Sequence, residues 1–102
     1  AAANSAFCRE YAQVLDMASC FVAMHPDQAT CDIVDAALAR AQPFAVVPCC
    51  VFSELFPHRR LRSGEPVTTY EHLLAFIQEK DERIRHIQLP FQGRNTVLFC
   101  TP

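Results

Sequence analysis

Two short apolar runs, separated by a helical pattern, dominate the middle of the chain. Residues 19–24 and 44–47 are apolar without alternation, which is typical of strands that are covered on both faces. Two such strands joined by a helix predict a parallel pair with a right-handed crossover. Residues 19–51 are therefore predicted to form a βαβ unit, whose helix buries a stripe made of Ile33, Val34, Ala37, Leu38 and Ala41.

The helix of this unit has a recognisable start and stop. Asp27 follows the first strand in a position typical of a helix N-cap, and the helical pattern continues to about Ala41. Pro43 cannot continue a helix, so it is predicted to open the second strand.

Helical patterns also flank the βαβ unit. Residues 1–18 predict an N-terminal helix, and residues 68–83 predict a third helix that begins with a capping box of Thr68 and Glu71. The apolar positions of the first are Phe7, Tyr11, Val14 and Leu15, and those of the last are Tyr70, Leu73, Leu74 and Ile77.

The period changes to two near the carboxyl end. Residues 84–101 therefore predict an antiparallel β-hairpin with its turn at residues 92–95. Residues 52–67 contain a glycine, two prolines and three arginines, and predict a long loop. Together these elements predict a single small α/β domain.

Composition narrows the class of protein. A length of 102 residues limits the chain to one domain, and 51% hydrophobic residues exclude a disordered tail. No apolar run approaches the length of a membrane span. Six cysteines, four of them in or beside apolar runs, predict buried thiols in an intracellular reducing compartment rather than a disulfide framework. The Ala-rich start fits a chloroplast or mitochondrial protein after removal of a transit peptide.

Two tripeptides fall where the predicted parallel strands end. His25-Pro26-Asp27 follows the first strand and Pro48-Cys49-Cys50 follows the second. Ligands of open α/β sheets collect at such ends, which makes His25, Asp27 and Cys49 the catalytic candidates. A helix cap for Asp27 and a backbone-bonded turn for His25 are the favoured interpretations. A Cys49 or Cys50 nucleophile with His25 as its base is a more distant alternative.

The main basic cluster lies in the long loop. Arg59, Arg60 and Arg62 could clamp a phosphate or pair with an acidic surface of a partner protein. A net charge of −2 and the lack of interleaved aromatic residues favour a solvated loop or a protein contact, with nucleic acid as the weaker alternative. Structural zinc sites usually present CxxC spacing, whereas Cys49 and Cys50 are adjacent, so we predict no metal site.

The order of these motifs resembles a known family. The segments HPDQAT, IVDAAL and PFAVVPCCVF, followed more loosely by LPF and GRN, are similar to the carboxyl-terminal half of Rossmann-type S-adenosylmethionine-dependent methyltransferases. The likeness covers about residues 20–101 and is greatest to methyltransferase-like proteins of eukaryotes, with a more distant similarity to some RNA methyltransferases.

The resemblance implies a partial Rossmann-like sheet, of two parallel strands plus a C-terminal antiparallel hairpin, flanked by helices. It implies that His25, Pro26 and Asp27 border the methyl-acceptor site, with Pro48, Cys49 and Cys50 on the neighbouring strand end. In such enzymes a glycine-rich turn in the first half holds the cofactor. This chain has only Gly64 and Gly93, so by itself it has no S-adenosylmethionine site of that kind.

We therefore expect a non-catalytic structural or accessory subunit, derived from a methyltransferase-like domain and held with other protein chains in a larger, organellar assembly. The alternative is the carboxyl-terminal half of an active S-adenosylmethionine-dependent methyltransferase whose cofactor half lies on another segment or chain. A sheet cut in half would leave the first strand, residues 21–24, with an exposed edge, of which the residues before Ser19 could cover part and a partner chain would cover the rest.

Overall fold

A computed structural model describes residues 12–102 and shows an α/β fold with one four-stranded mixed sheet. The fold class predicted from the sequence is confirmed at this level. The helices are Ala12–Met17 (α1), Thr30–Ala39 (α2) and Tyr70–Gln78 (α3), and the strands are Phe21–Met24 (β1), Phe44–Val47 (β2), Arg85–Gln88 (β3) and Thr96–Cys100 (β4).

The strands lie in the order β1-β2-β4-β3. β1 and β2 are parallel, with Phe21 opposite Phe44, as the βαβ pattern predicts. β3 and β4 form the predicted antiparallel hairpin, and β4 also pairs antiparallel with β2. The last strand is thus inserted between β2 and β3, and β1 and β3 form the two edges of the sheet.

One face of the sheet carries the core. Residues opposite each other on neighbouring strands point to the same side, so Phe44 and Val46 of β2 share a face with Cys100 and Leu98 of β4. All four are buried, and both α2 and α3 pack against this face. The helices add their own buried side chains to the same cluster, among them Val34, Ala37, Leu73 and Ile77.

The opposite face, which we call the open face, carries apolar side chains that are far less covered. Val22 and Met24 of β1 are 78% and 61% exposed, and Ile87 of β3 is 52% exposed. Between them lie the half-buried residues Val97 and Phe99 of β4. The unalternated apolar sequence of β1 predicts cover on both faces, but on the open face the described residues cover Val47 of β2 and leave Val22 and Met24 of β1 exposed.

Helix α2 begins and ends differently from the prediction. Asp27 opens a 3₁₀ turn, Asp27–Ala29, so the N-cap position of the α-helix belongs to Ala29 and no side chain caps it. At the other end Ala41 has φ of 52°, and the N–H of Gln42 donates to the carbonyl of Ala37 (2.9 Å). This is a Schellman end, with alanine in the left-handed position that glycine usually occupies. The backbone of Asp27 therefore lies two residues before the N-cap position, whereas the sequence predicts Asp27 at that position.

Helix α3 begins one residue later than predicted. Thr69, not Thr68, is its N-cap, and the Thr69 hydroxyl accepts the backbone N–H of His72 at 3.1 Å. The Nδ1 atom of His72 in turn accepts the N–H of Thr68 at 3.3 Å. The predicted partner, Glu71, is displaced because the whole cap is shifted by one residue.

The side chains of helix α1 that the structure describes, at residues 13, 14, 16 and 17, are exposed. The part of the predicted N-terminal helix before residue 12, with Phe7 and Tyr11, lies outside the described residues. Val14, one of the apolar positions of this helical pattern, is 67% exposed. An ion pair between Asp16 and Arg40, with Nε and Oδ1 2.8 Å apart, joins α1 to the end of α2.

The difference between the two faces is testable by matched truncations. We expect Leu98→Ala to lower the free energy of unfolding by about 2–5 kcal/mol, because a fully buried leucine leaves a cavity. The control Ile87→Ala, on the open face, should cost less than about 1 kcal/mol. Urea unfolding of both variants measures the difference. Equal losses would contradict the assignment of the two faces.

Candidate functional site

The structure brings the two predicted tripeptides to the same edge of the sheet. Met24 and Val47 are the last paired residues of the parallel strands β1 and β2, so His25 and Cys49 both lie just beyond their carboxyl ends. The N–H of His25 donates to the carbonyl of Val47 at 2.8 Å, which extends the β1–β2 pairing by one bond. The sequence prediction that these residues share the carboxyl edge is consistent with this placement.

His25 adopts an unusual backbone conformation at this edge. Its φ is 51°, in the left-handed region that residues other than glycine rarely occupy, although histidine tolerates it better than most. The positive φ turns the chain sharply from β1 into the 3₁₀ turn that starts at Asp27. The bend therefore has a structural role in connecting the strand to α2.

The side chain of His25 is not paired with a thiol among the described residues. The His25 residue is exposed, and its imidazole makes no hydrogen bond or ion pair with any of residues 12–102. A histidine that activates a cysteine has to lie within hydrogen-bond reach of the thiol. The alternative of a Cys49 or Cys50 nucleophile with His25 as its base is therefore not assembled in this structure.

The segment after β2 is instead connected to the hairpin. The Sγ atoms of Cys49 and Cys50 are 3.4 Å apart, and a guanidinium N–H of Arg94 donates to the carbonyl of Cys49. The Arg94 guanidinium also lies 5.0 Å from the centre of the Tyr70 ring. Arg94 thus links the end of β2 to the start of α3, and Cys49 belongs to this structural link.

The basic cluster is held by contacts that the sequence does not suggest. The guanidinium of Arg59 lies over the ring of Phe56 at 3.6 Å and 5.5 Å from the ring of Phe76 on α3. Such cation–π contacts fix a planar guanidinium against an apolar surface. Arg62 is directed elsewhere, with its Nη2 donating to the carbonyl of Glu79 at 2.7 Å.

A cleft opens beside the stacked arginine. It has a volume of about 570 Å³ and is lined by residues 55–60 and by Phe76. We call it the basic cleft. Sequence analysis missed it, although Phe76 gave a signal: it is an aromatic residue of α3 that lies outside the predicted buried stripe. That position indicates a contact other than the main core.

Acidic and thiol groups lie behind the basic cleft. Burial raises the pKa of the Cys31 thiol, and the nearby positive charges of Arg59 and Lys80 only partly oppose this. Burial also raises the pKa of Asp32, to which the negative charge of Asp35 contributes. The Nζ atom of Lys80 lies 3.0 Å from Oδ1 of Asp35, an ion pair that joins the end of α3 to α2.

Neither a metal centre nor a membrane helix is found in the described part of the chain. Residues 12–102 contain no group of three or more histidine, cysteine, aspartate or glutamate side chains arranged to hold a metal ion. None of the helices in this range has the length and apolar composition that crossing a bilayer requires. Within the same residues no two cysteines form a disulfide.

Comparison with families of proteins, with curated proteins and with solved structures finds no match to this chain. The functional argument therefore depends on the geometry of the described residues.

Thiol reactivity gives a direct test of this arrangement. We expect iodoacetamide at about pH 8 to modify the exposed Cys20 and Cys50 in the folded protein, because the thiolate is the reactive form and must be accessible. Cys31 and Cys100 are buried, and burial raises the pKa of both thiols, so they should react only after unfolding. Mass spectrometry of the alkylated peptides measures this order. Modification of Cys31 as fast as Cys50 would contradict the packing of α2.

Proposed function

We propose that this chain is a non-catalytic structural or accessory subunit, whose sheet is completed by another protein chain of a larger assembly. The observation that supports this most directly is the state of β1. It is an edge strand, and the two side chains that it presents on the open face, Val22 and Met24, are 78% and 61% exposed.

The two edges of the sheet differ in a way that favours β1 as the contact. Edge strands of proteins that stay monomeric usually carry charged residues that prevent further pairing. β3, RHIQ, has an arginine and two other polar residues, whereas β1, FVAM, has no polar side chain. The free edge of β1 is therefore suited to pairing with an added strand, whose own elements would cover the open face.

The strand order supports an origin in a methyltransferase-like sheet. The Rossmann-type methyltransferases that the sequence resembles end their parallel sheet with an antiparallel strand inserted between two others. Here β4 is antiparallel and lies between β2 and β3. On this proposal the chain is a partial Rossmann-like sheet, and the missing strands would lie beside β1. The proposed location is a reducing, organellar compartment.

An accessory role agrees better than catalysis with the residues at the strand ends. The His25 imidazole makes no hydrogen bond to a thiol among the described residues, and the backbone carbonyl of Cys49 accepts an N–H of Arg94. Gly64 and Gly93, the two glycines of the chain, have φ of 95° and 99° and lie in turns outside the βαβ unit. They serve those turns and not a cofactor loop.

Site-specific photo-crosslinking tests the assembly. A benzophenone amino acid placed at Met24 of the full chain, expressed in its own cells, should give a larger covalent adduct. The same group at Glu82, an exposed residue of the turn between α3 and β3, should not. In extracts, the chain should elute well above 11.5 kDa, and Val22→Asp with Met24→Asp should return it to that size. Elution of the unmodified chain as a monomer, without an adduct at Met24, would refute the proposal.

The second candidate is the carboxyl-terminal half of an active methyltransferase. The observation that favours it is the strained His25 at the carboxyl end of β1, next to the segment of Cys49, since left-handed residues often occur at functional sites. In this case the cofactor half would be on the chain or segment that pairs with β1.

Titration calorimetry with S-adenosylmethionine and S-adenosylhomocysteine separates the two candidates. We expect no heat of binding with the purified chain, because it lacks the glycine-rich turn that holds the cofactor in the enzymes it resembles. An accessory subunit predicts that its purified native complex is equally silent. Binding by the complex would favour the split enzyme, whose cofactor half lies on the partner. Binding by the isolated chain would contradict both candidates as stated.

A further inference from the structure

The basic cleft combines an apolar lining with positive charge. Leu55, Phe56, Pro57 and Phe76 provide the apolar surface, and Leu55 is 58% exposed although it is a large hydrophobic residue. Arg59 and Arg60 lie among the same lining residues. A cleft of about 570 Å³ has room for one or two bulky side chains of another molecule.

The positive charge of the cleft lies near Asp32, whose pKa burial raises against the opposing, lowering effect of the charge of Arg59, but it is not held in an ion pair among the described residues. Lys80 is paired with Asp35, and Arg62 donates to the carbonyl of Glu79. In contrast, neither Arg59 nor Arg60 forms an ion pair with a carboxylate among residues 12–102. Two guanidinium groups are therefore available to an anionic ligand, on a chain whose net charge is −2.

The contacts of these arginines place their charges at the wall of the cleft. The guanidinium of Arg59 lies over Phe56, 3.6 Å from the ring centre. The Nη1 atom of Arg60 donates to the carbonyls of Pro57 and Arg59, both at 3.1 Å. Each guanidinium retains further N–H groups, because arginine has five of them in a fixed plane.

From this geometry we infer that the basic cleft binds a short acidic peptide segment of a partner protein, with one bulky apolar side chain against Leu55 and Phe76 and carboxylates against Arg59 and Arg60. The inference rests on the proposed function, because the peptide would belong to the same assembly. The basic cleft would then be a second contact between this chain and that assembly. It uses a different surface, formed by the loop after β2 and by α3, which packs on the core face and not on the open face.

A peptide fits these observations better than a nucleic acid. Nucleic-acid sites combine several phosphate-binding cations with aromatic rings whose faces are free to stack on bases. Here the ring of Phe56 is already stacked against Arg59, and among the described residues the cleft offers only two guanidinium groups without a carboxylate partner. Most of the lining is apolar, which suits an anchoring side chain with flanking carboxylates.

The test begins with a phage-displayed library of random dodecapeptides selected on the full chain. We expect the enriched peptides to share aspartate or glutamate around one aromatic or leucine residue. Fluorescence anisotropy then measures the enriched peptides, fluorescein-labelled, against the wild type and three variants. Arg60→Glu should weaken binding about tenfold, since it replaces an attraction by a repulsion. Arg85→Glu makes the same change of charge at an exposed residue of β3 and should leave binding within about twofold.

The third variant separates a peptide from a simple polyanion. Leu55→Lys adds a positive charge while it removes an exposed apolar contact, so it leaves the buried core intact. It should weaken binding of the selected peptides, and it should strengthen binding of a single-stranded RNA oligonucleotide if the cleft only attracts negative charge. Urea unfolding of each variant confirms that it is folded.

Three outcomes would overturn the inference: no enriched acidic consensus, equal binding by the Arg60→Glu and Arg85→Glu variants, or peptide binding that increases with Leu55→Lys. None of them depends on Val22 or Met24. A failure of the peptide site is therefore distinguishable from a failure of the assembly proposed through β1.

Discussion

The packing of both principal helices on one face of the sheet is the constraint on which the rest of the structure depends. The connections from β1 to β2 and from β2 to β3 both run in the same direction across the sheet, and both pass through a helix. Right-handed crossovers in one direction place their helices on the same side. The described chain therefore buries Val46 and Leu98 under α2 and α3 and leaves Val22 and Met24 on the other face without cover.

The same constraint explains which parts of the fold could be predicted. The βαβ unit and the hairpin depend on local patterns, since the period of the apolar residues distinguishes a strand from a helix within a few positions. The exposure of the open face could not be predicted from β1. The sequence FVAM indicates that both faces of the strand are covered, but it does not show which residues or which chain cover them. The sequence of β1 thus predicted the strand correctly, but it predicted the cover of only one of its two faces correctly.

The helix ends and the basic cleft show two further limits of sequence analysis. Asp27 and Thr68 are both of residue types that often cap helices. The N-cap positions nevertheless belong to Ala29 and Thr69. The reason is that a 3₁₀ turn begins at Asp27, whereas one more extended residue follows Thr68. The cleft depends on Phe56, Arg59 and Phe76 meeting across segments distant in sequence. The cluster of arginines was visible in the sequence, but its aromatic support arises only from the packing of α3 beside the loop.

The position of β1 at the edge of the sheet also determines which groups can lie next to the candidate catalytic residues. His25 lies at the carboxyl end of an edge strand, so in this chain it is at the margin of the sheet. A strand added beside β1 would place the same residue near the middle of a wider carboxyl edge, where ligands of open α/β sheets bind. The chemistry of His25 and of the neighbouring Cys49 segment therefore depends on which groups a partner contributes beside β1. The physical feature that supports an accessory role is the same one through which a partner could complete an active site.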